Sequence, residues 1–213
     1  MKVLILGAAG QVAKRVTEVL LKHTNASLVL YAREAFERIH PKDKDREQVV
    51  EGDFENLTQL EIAMDGVDWV FIDSVESKKG MQAIVKVMKA KGVKKLIAAT
   101  SLGIYDEVPG KFGAWNTEML GNDLLKTMAD NTAVLEDNEL DYTLMRMAWL
   151  YDDAKNTKYE LTEKDELFKG TQVTREAIAQ LVLEIIQSKD NRFAKKSLGV
   201  SEPNTDWDKP SFY

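Results

Sequence analysis

Val3-Leu4-Ile5-Leu6-Gly7-Ala8-Ala9-Gly10-Gln11-Val12-Ala13 passes from an apolar run straight into an amphipathic one. Four consecutive apolar residues read as a strand buried on both faces, and the helical spacing that follows predicts a helix over 11–22. A strand that enters a helix through glycines is the outline of a dinucleotide site. Gly7 makes the tight turn, Gly10 lets a pyrophosphate approach the backbone, and small Ala13 lets the helix lie against the sheet. Ala9, Gln11 and Val12 complete the turn, and the helix N-terminus supplies free N–H groups and a positive dipole end. The spacing G-x-x-G-x-x-A differs from the dehydrogenase G-x-G-x-x-G. Its weight comes from its place after the first strand, with a βαβ pattern behind it.

Working outward, short apolar runs alternate with helical patterns. Strands are expected at 27–31, 48–52, 68–72, 95–100 and 142–146, with helices at 57–64, 79–91 and 116–137 between them. Right-handed crossovers turn this order into an α/β fold, a Rossmann-type doubly wound parallel sheet with its ligand crevice at the carboxyl ends of the strands. Beyond the sixth strand, 151–169 is polar and mixed, Thr174 reads as the N-cap of a helix over 175–188, and 196–200 as a late strand. The expectation is one domain over 1–213, with 151–213 contributing a small C-terminal cap on the substrate side of the crevice.

Composition narrows the function. The 213 residues suffice for a core without disulfides or metal, and the absence of cysteine excludes thiol nucleophiles and thiolate metal sites. A net charge of −6 argues against a general affinity for nucleic acid. No apolar run approaches a membrane span and no signal-like segment is evident, so the chain is expected to be cytoplasmic. His23 and His40 stand alone, and no metal site is expected.

The second strand ends Leu30-Tyr31-Ala32-Arg33, without the carboxylate that grips the ribose of NAD. Arg33 offers a planar, permanently charged fork suited to a 2′-phosphate, so NADP is the expected cofactor. The competing reading pairs Arg33 with Glu34 or Glu37. At the end of the third strand, Asp53 has two open readings, a partner for adenine or a helix cap, and Phe54 would border the ring. Asp73 and Ser74 are placed beside the diphosphate and ribose. Thr100 and Ser101 sit where a hydroxyl could bond to nicotinamide or substrate; for Ser101, closing a turn is the alternative. Met147, Ala148 and Trp149 are candidates for the nicotinamide pocket. Phe112 and Trp115 read either as an aromatic wall or as packing.

Five stretches in order carry a family resemblance: 7–13, Gly52-Asp53-Phe54, Thr100-Ser101-Leu102-Gly103-Ile104-Tyr105, 141–146 with Trp149-Leu150, and 173–179. The chain resembles an atypical short-chain dehydrogenase/reductase on the NmrA-like, NAD(P)-binding side. Through 105–110 it is most similar to the group holding biliverdin and flavin reductases. The resemblance implies a Rossmann fold with nicotinamide near the ends of strands four to six. It also exposes departures. Where alcohol-converting members hold Tyr-x-x-x-Lys for proton transfer, the aligned residues are Leu124 and Met128, and Met147 replaces the usual proline.

A site without that pair suits an acceptor that needs no protein acid, such as a quinone or flavin, leaving orientation and water exclusion to the protein. The expectation is an NADP(H)-binding oxidoreductase of a small flat molecule, with Ser101 and Tyr105 as the candidate catalytic residues. A non-catalytic NADP-binding sensor is the alternative, with a homodimer or a regulatory protein as partner. A nucleotide-sugar epimerase or dehydratase is disfavoured because it needs the missing tyrosine.

Overall fold

The computed structural model describes residues 1–137 and 139–213. Strand β1 (Lys2–Leu6) leads into α1 (Gln11–His23), followed by β2 (Ser27–Ala32), the one-turn α2 (Ala35–Arg38), β3 (Glu47–Glu51), α3 (Leu57–Ala63), β4 (Trp69–Ile72), α4 (Lys78–Lys91) and β5 (Lys95–Ser101). Then come α5 (Gly110–Leu120), α6 (Asn122–Ala133), β6 (Asp141–Met147), β7 (Trp149–Tyr151), β8 (Glu160–Thr162), β9 (Gln172–Thr174), α7 (Arg175–Gln187) and β10 (Lys196–Ser201). The main sheet runs β3-β2-β1-β4-β5-β6-β10-β8, parallel throughout except for β8, which pairs antiparallel with β10 at the edge. The α/β, Rossmann-type fold expected from the apolar runs is present.

Both faces of this sheet are covered, which is why its central strands are apolar without interruption. In β1, Val3 and Ile5 pack toward α1 and α7, whose Val16, Leu20, Leu181 and Ile185 are buried there. Leu4 and Leu6 point the other way, into a second core with Leu60 of α3 and Ile84 and Met88 of α4. Register ties the layers together: Ile5 stands beside Leu30 of β2 and Phe71 of β4. Thr174 caps α7 as expected, its hydroxyl accepting the Ala177 N–H at 3.0 Å.

Three expectations are corrected. The single helix over 116–137 is two helices, because Gly121 takes φ 79°, ψ 145° and its N–H closes α5 on the Thr117 carbonyl. That backbone lies in a region open essentially to glycine alone. The first of the pair also starts earlier, at Gly110. Next, the three-residue strands β7, β8 and β9 are additional; they are too short for periodicity to reveal. Finally, of residues 151–213, β8 and β10 join the main sheet and α7 joins the layer beside α1, so they are built into the body of the fold. The C-terminal tail reaches the crevice instead, beside the parallel β7–β9 pair. Among the described residues, no helix is long and apolar enough to cross a membrane.

Gly121→Ala is expected to destabilise the protein by about 1–3 kcal/mol, the usual cost of forcing a side chain into such a conformation. Urea unfolding followed by circular dichroism measures it. A change within about 0.5 kcal/mol, typical of neutral surface substitutions, would show that the α5–α6 corner does not depend on glycine.

Candidate functional site

The chain leaves β1 toward α1 while β2 and β4 flank β1 on either side, so the strand order reverses here and a crevice opens at the carboxyl ends. Gly7, at φ +82°, makes the turn, and the N–H groups of Gly7 and Ala8 both reach the Tyr31 carbonyl, at 2.9 and 3.1 Å. Gly10 closes the loop on the Gly7 carbonyl at 2.8 Å and precedes the first helical residue. The N–H groups of Gln11 and Val12, in the first turn, have no intrahelical carbonyl to reach. Eight expected residues, Gly7, Ala9, Gly10, Arg33, Asp53, Phe54, Asp73 and Ser74, thus line one cleft of about 230 Å³.

Two arginines and several carboxylates share the end of that cleft away from the chamber. Arg33 borders it and pairs with Glu76 at 3.4 Å, rather than with Glu34 or Glu37. Both partners of this pair are more than half exposed, so the contact is weak and easily exchanged for a ligand phosphate. Arg38, which the sequence reading passed over, lines the same cleft and donates Nη1 to the Arg33 carbonyl at 3.2 Å. A second arginine five residues after the first was the available signal. Asp53 does not cap α3, since Asn56 does so by accepting the Gln59 N–H at 3.1 Å. The Asp53 carboxylate accepts the Glu55 N–H at 2.9 Å and borders the cleft beside Phe54, whose ring stacks on Tyr31 at 6.4 Å. Gly52 is required here because any Cβ would overlap the Tyr31 phenol.

Asp73 stands where the two halves of the crevice meet, with Ser74 beside it. Its Oδ1 accepts the Ala13 N–H at 2.7 Å. Burial raises its carboxyl to about 6, with Glu76 adding a like charge, while the Ala13 N–H and Arg175 hold it down.

The second half, about 420 Å³, holds Thr100, Ser101, Met147, Ala148 and Trp149 as expected. The Thr100 hydroxyl is spent on the Met145 carbonyl at 3.2 Å, so it contributes chiefly shape. Ser101 donates to the Leu102 carbonyl at 3.1 Å, the turn-closing reading, yet still borders the crevice. Met128 of α6 lines this half, whereas Leu124 is 46% exposed. Arg175, Phe212 and Tyr213 were missed; the last two arrive from the end of the chain, where no local pattern marks them. Tyr213 packs edge-on against Trp115 and Trp149, at ring separations of 5.1 and 5.2 Å. Phe112 and Trp115 stack behind this wall at 6.0 Å and do not border the crevice, which favours the packing reading.

Tyr105 is a correction. It borders neither half of the crevice; its hydroxyl donates to Glu136 and accepts from Ser197, and its ring lies under Lys164 at 4.3 Å. Burial and the hydrogen bond to Glu136 raise its phenol well above the usual tyrosine range. The loop after β5 carries it away because Glu107 binds the N–H groups of Gly103 and Tyr105, at 3.1 and 2.9 Å, and is itself held by Arg146 at 2.7 Å.

These residues fit a dinucleotide: a glycine turn under a helix N-terminus, two guanidinium groups at one end and a mostly apolar chamber at the other. The model of the NAD(P)H-binding family matches residues 7–189. A short-chain dehydrogenase/reductase from Veillonella parvula DSM 2008, solved in complex with NADP, is 36% identical, with 99% of each chain covered and a TM-score of 0.95. A Rossmann-fold NAD(P)-binding family protein from Shigella flexneri is 33% identical over 100% of this chain and 98% of its own, with a TM-score of 0.82. An anaerobilin reductase from Escherichia coli O157:H7, at 20% identity over 99% of this chain and 100% of its own, has a TM-score of 0.76 and shares the fold. Among proteins of curated function, none matches.

Gly10→Val is expected to abolish cofactor binding while leaving the far-ultraviolet circular dichroism spectrum intact, because a branched side chain would push the Asp73 carboxylate aside and take the space above the turn itself. Fluorescence titration with NADPH checks it. Undiminished binding would place the dinucleotide elsewhere.

Proposed function

The chain belongs to the NAD(P)H-binding family, and from that premise we propose that it is an NADPH-dependent reductase of a flat, electron-poor acceptor of the quinone or flavin type. The observation that carries this reading is the side chain α6 turns to the crevice, Met128, at the position where the family resemblance would set the lysine of a proton-transferring pair. Leu124, aligned with the tyrosine of that pair, lies on the exposed side. Neither side chain can donate a proton. Among the described residues bordering this half, none is lysine, histidine or cysteine, and the two that carry an acidic proton, Asp73 and Tyr213, come from the end of β4 and the end of the chain rather than from α6.

Bound NADPH supplies a hydride. Arg33 and Arg38 would hold the 2′-phosphate, and the free Gln11 and Val12 N–H groups of the α1 N-terminus would hold the pyrophosphate. The NADP complex of the 36%-identical Veillonella protein supports that choice of cofactor. Met147, Trp149, Leu150 and Tyr213 offer apolar and aromatic surface on which a planar acceptor can lie. Ser101 is placed to orient such a molecule by one hydrogen bond.

Two measurements test the proposal. Arg33→Ala is expected to remove most of the preference for NADPH over NADH in calorimetric titration, a loss of about 1.5–3 kcal/mol for one charge-assisted contact. Equal affinities in the wild-type protein would overturn the cofactor assignment. In the second, NADPH oxidation is followed against quinones, flavins and aldehydes. Turnover is expected with the first two classes; Ser101→Ala should slow it by about tenfold or less, the value of a positioning hydrogen bond, and Tyr213→Phe, which keeps the ring, should slow it no more than that. A collapse of a hundredfold or more in Tyr213→Phe would indicate general acid catalysis instead.

A further inference from the structure

At the carboxyl end of β4, Asp73 lays its carboxylate on the first turn of α1. Oδ1 takes the Ala13 N–H, and a Cβ added at Gly10 would overlap Oδ2, so the carboxylate fills the space above the glycine turn. That is the space a dinucleotide pyrophosphate uses. Carboxylate and pyrophosphate are both anions, and they seek the same N–H donors and the same positive dipole end. Ionised, the two exclude each other from one helix N-terminus.

We propose that Asp73 is a built-in competitor for the cofactor's pyrophosphate, and that it yields the α1 N-terminus by taking up a proton, so that each dinucleotide bound brings one proton with it. The proposal rests on the reading that the pyrophosphate docks on α1. It makes Asp73 a positioning residue of two states. As a carboxylate it accepts from the Ala13 N–H of the first turn of α1. As a neutral acid its O–H becomes a donor, able to hydrogen-bond a phosphate oxygen, and the charge repulsion is gone.

The surroundings are arranged to make that proton available near neutrality. Glu76, on the loop that follows β4, adds a like charge, and Arg175 at the start of α7 opposes it. From α1 come the Ala13 N–H and the dipole, both favouring the ionised form. The loop after β3 contributes neutral Phe54 with the carboxylates of Asp53 and Glu55 bordering the cleft, and the segment after β2 contributes Arg33 and Arg38, the former paired with Glu76. Burial outweighs the donors and sets the carboxyl at about 6. A raised carboxyl is protonated below that value and ionised above it, so the affinity for the dinucleotide falls by up to about tenfold for each pH unit beyond 6.

Isothermal titration of the full chain with NADPH at pH 6, 7 and 8, in two buffers of different ionisation enthalpy, tests the coupling. Wild type is compared with Asp73→Asn and Asp73→Ser, which also cancels the titration of the 2′-phosphate. The wild-type protein is expected to take up close to one proton per NADPH at pH 8, and both variants none from this group. Asp73→Asn should bind about tenfold to a hundredfold more tightly than wild type at pH 8, with the two converging at pH 6; Asp73→Ser gives the same contrast if the amide perturbs folding. Equal proton counts, or weaker binding by both variants at pH 8, would overturn the proposal. Retention of full affinity by Gly10→Val would instead overturn the docking of the pyrophosphate on α1, and the proposal with it.

Discussion

Burial of the main sheet on both faces is the constraint from which the rest of the molecule follows. A strand such as β1, with Val3 and Ile5 on one side and Leu4 and Leu6 on the other, has no side to give to water. Each crossover must therefore return over one face or the other, and the result is α1 with α7 on the first and α3 with α4 on the second. Because β2 and β4 lie on opposite sides of β1, the connections leaving their carboxyl ends diverge. The crevice is what that divergence leaves open, and the glycine turn sits at its base.

The walls of the crevice depend on a second, polar constraint. Arg146 is wholly buried in β6, and its Nη1 meets Glu107 at 2.7 Å while Nη2 reaches the carbonyls of Glu163 and Ser197 at 3.0 and 3.2 Å. Removing two charges from water is costly, and such a pair is tolerated when hydrogen bonds satisfy its remaining groups. Here Nη1 and Nη2 are satisfied while Nε is left without a partner, and the bonds made by the pair tie three segments, 103–107, 163 and 197, to one strand. The same pair holds the loop after β5 so that Tyr105 turns away from the crevice, while Ser101, the last residue of β5, is kept there by its register with Met147. Charge at this site shapes the chamber without entering it.

At the mouth of the crevice the electrostatics are reversed: Arg33 is exposed and held by a long contact to Glu76, whereas Asp73 is partly buried against a helix N-terminus. The loosely held cation can exchange its partner for a phosphate at small cost. The tightly held anion cannot do so without a change of protonation or position. Cofactor affinity at such a site is a difference between two anions competing for one set of donors, and Gly10 supplies the room for either.

The parallel sheet, the turn beneath the α1 N-terminus and the Thr174 cap are legible in the chain's order of residues, because each depends on residues within a few positions of one another: apolar runs of strand length, glycines at fixed spacing, a hydroxyl before a helix. The same order also carried Arg33, Asp53, Asp73 and Ser101 to the crevice, since the carboxyl end of a parallel strand lies at the ligand edge whatever its neighbours are. Which group each side chain would meet was decided only by the tertiary structure. Asp73 meets Ala13 across sixty positions, Tyr105 meets Glu136 and Ser197 rather than the crevice, and Tyr213 closes on Trp149 from the far end of the chain. Hydrogen bonds and ring contacts between distant segments leave no period in the sequence, because packing of the layers, not spacing along the chain, brings the partners together.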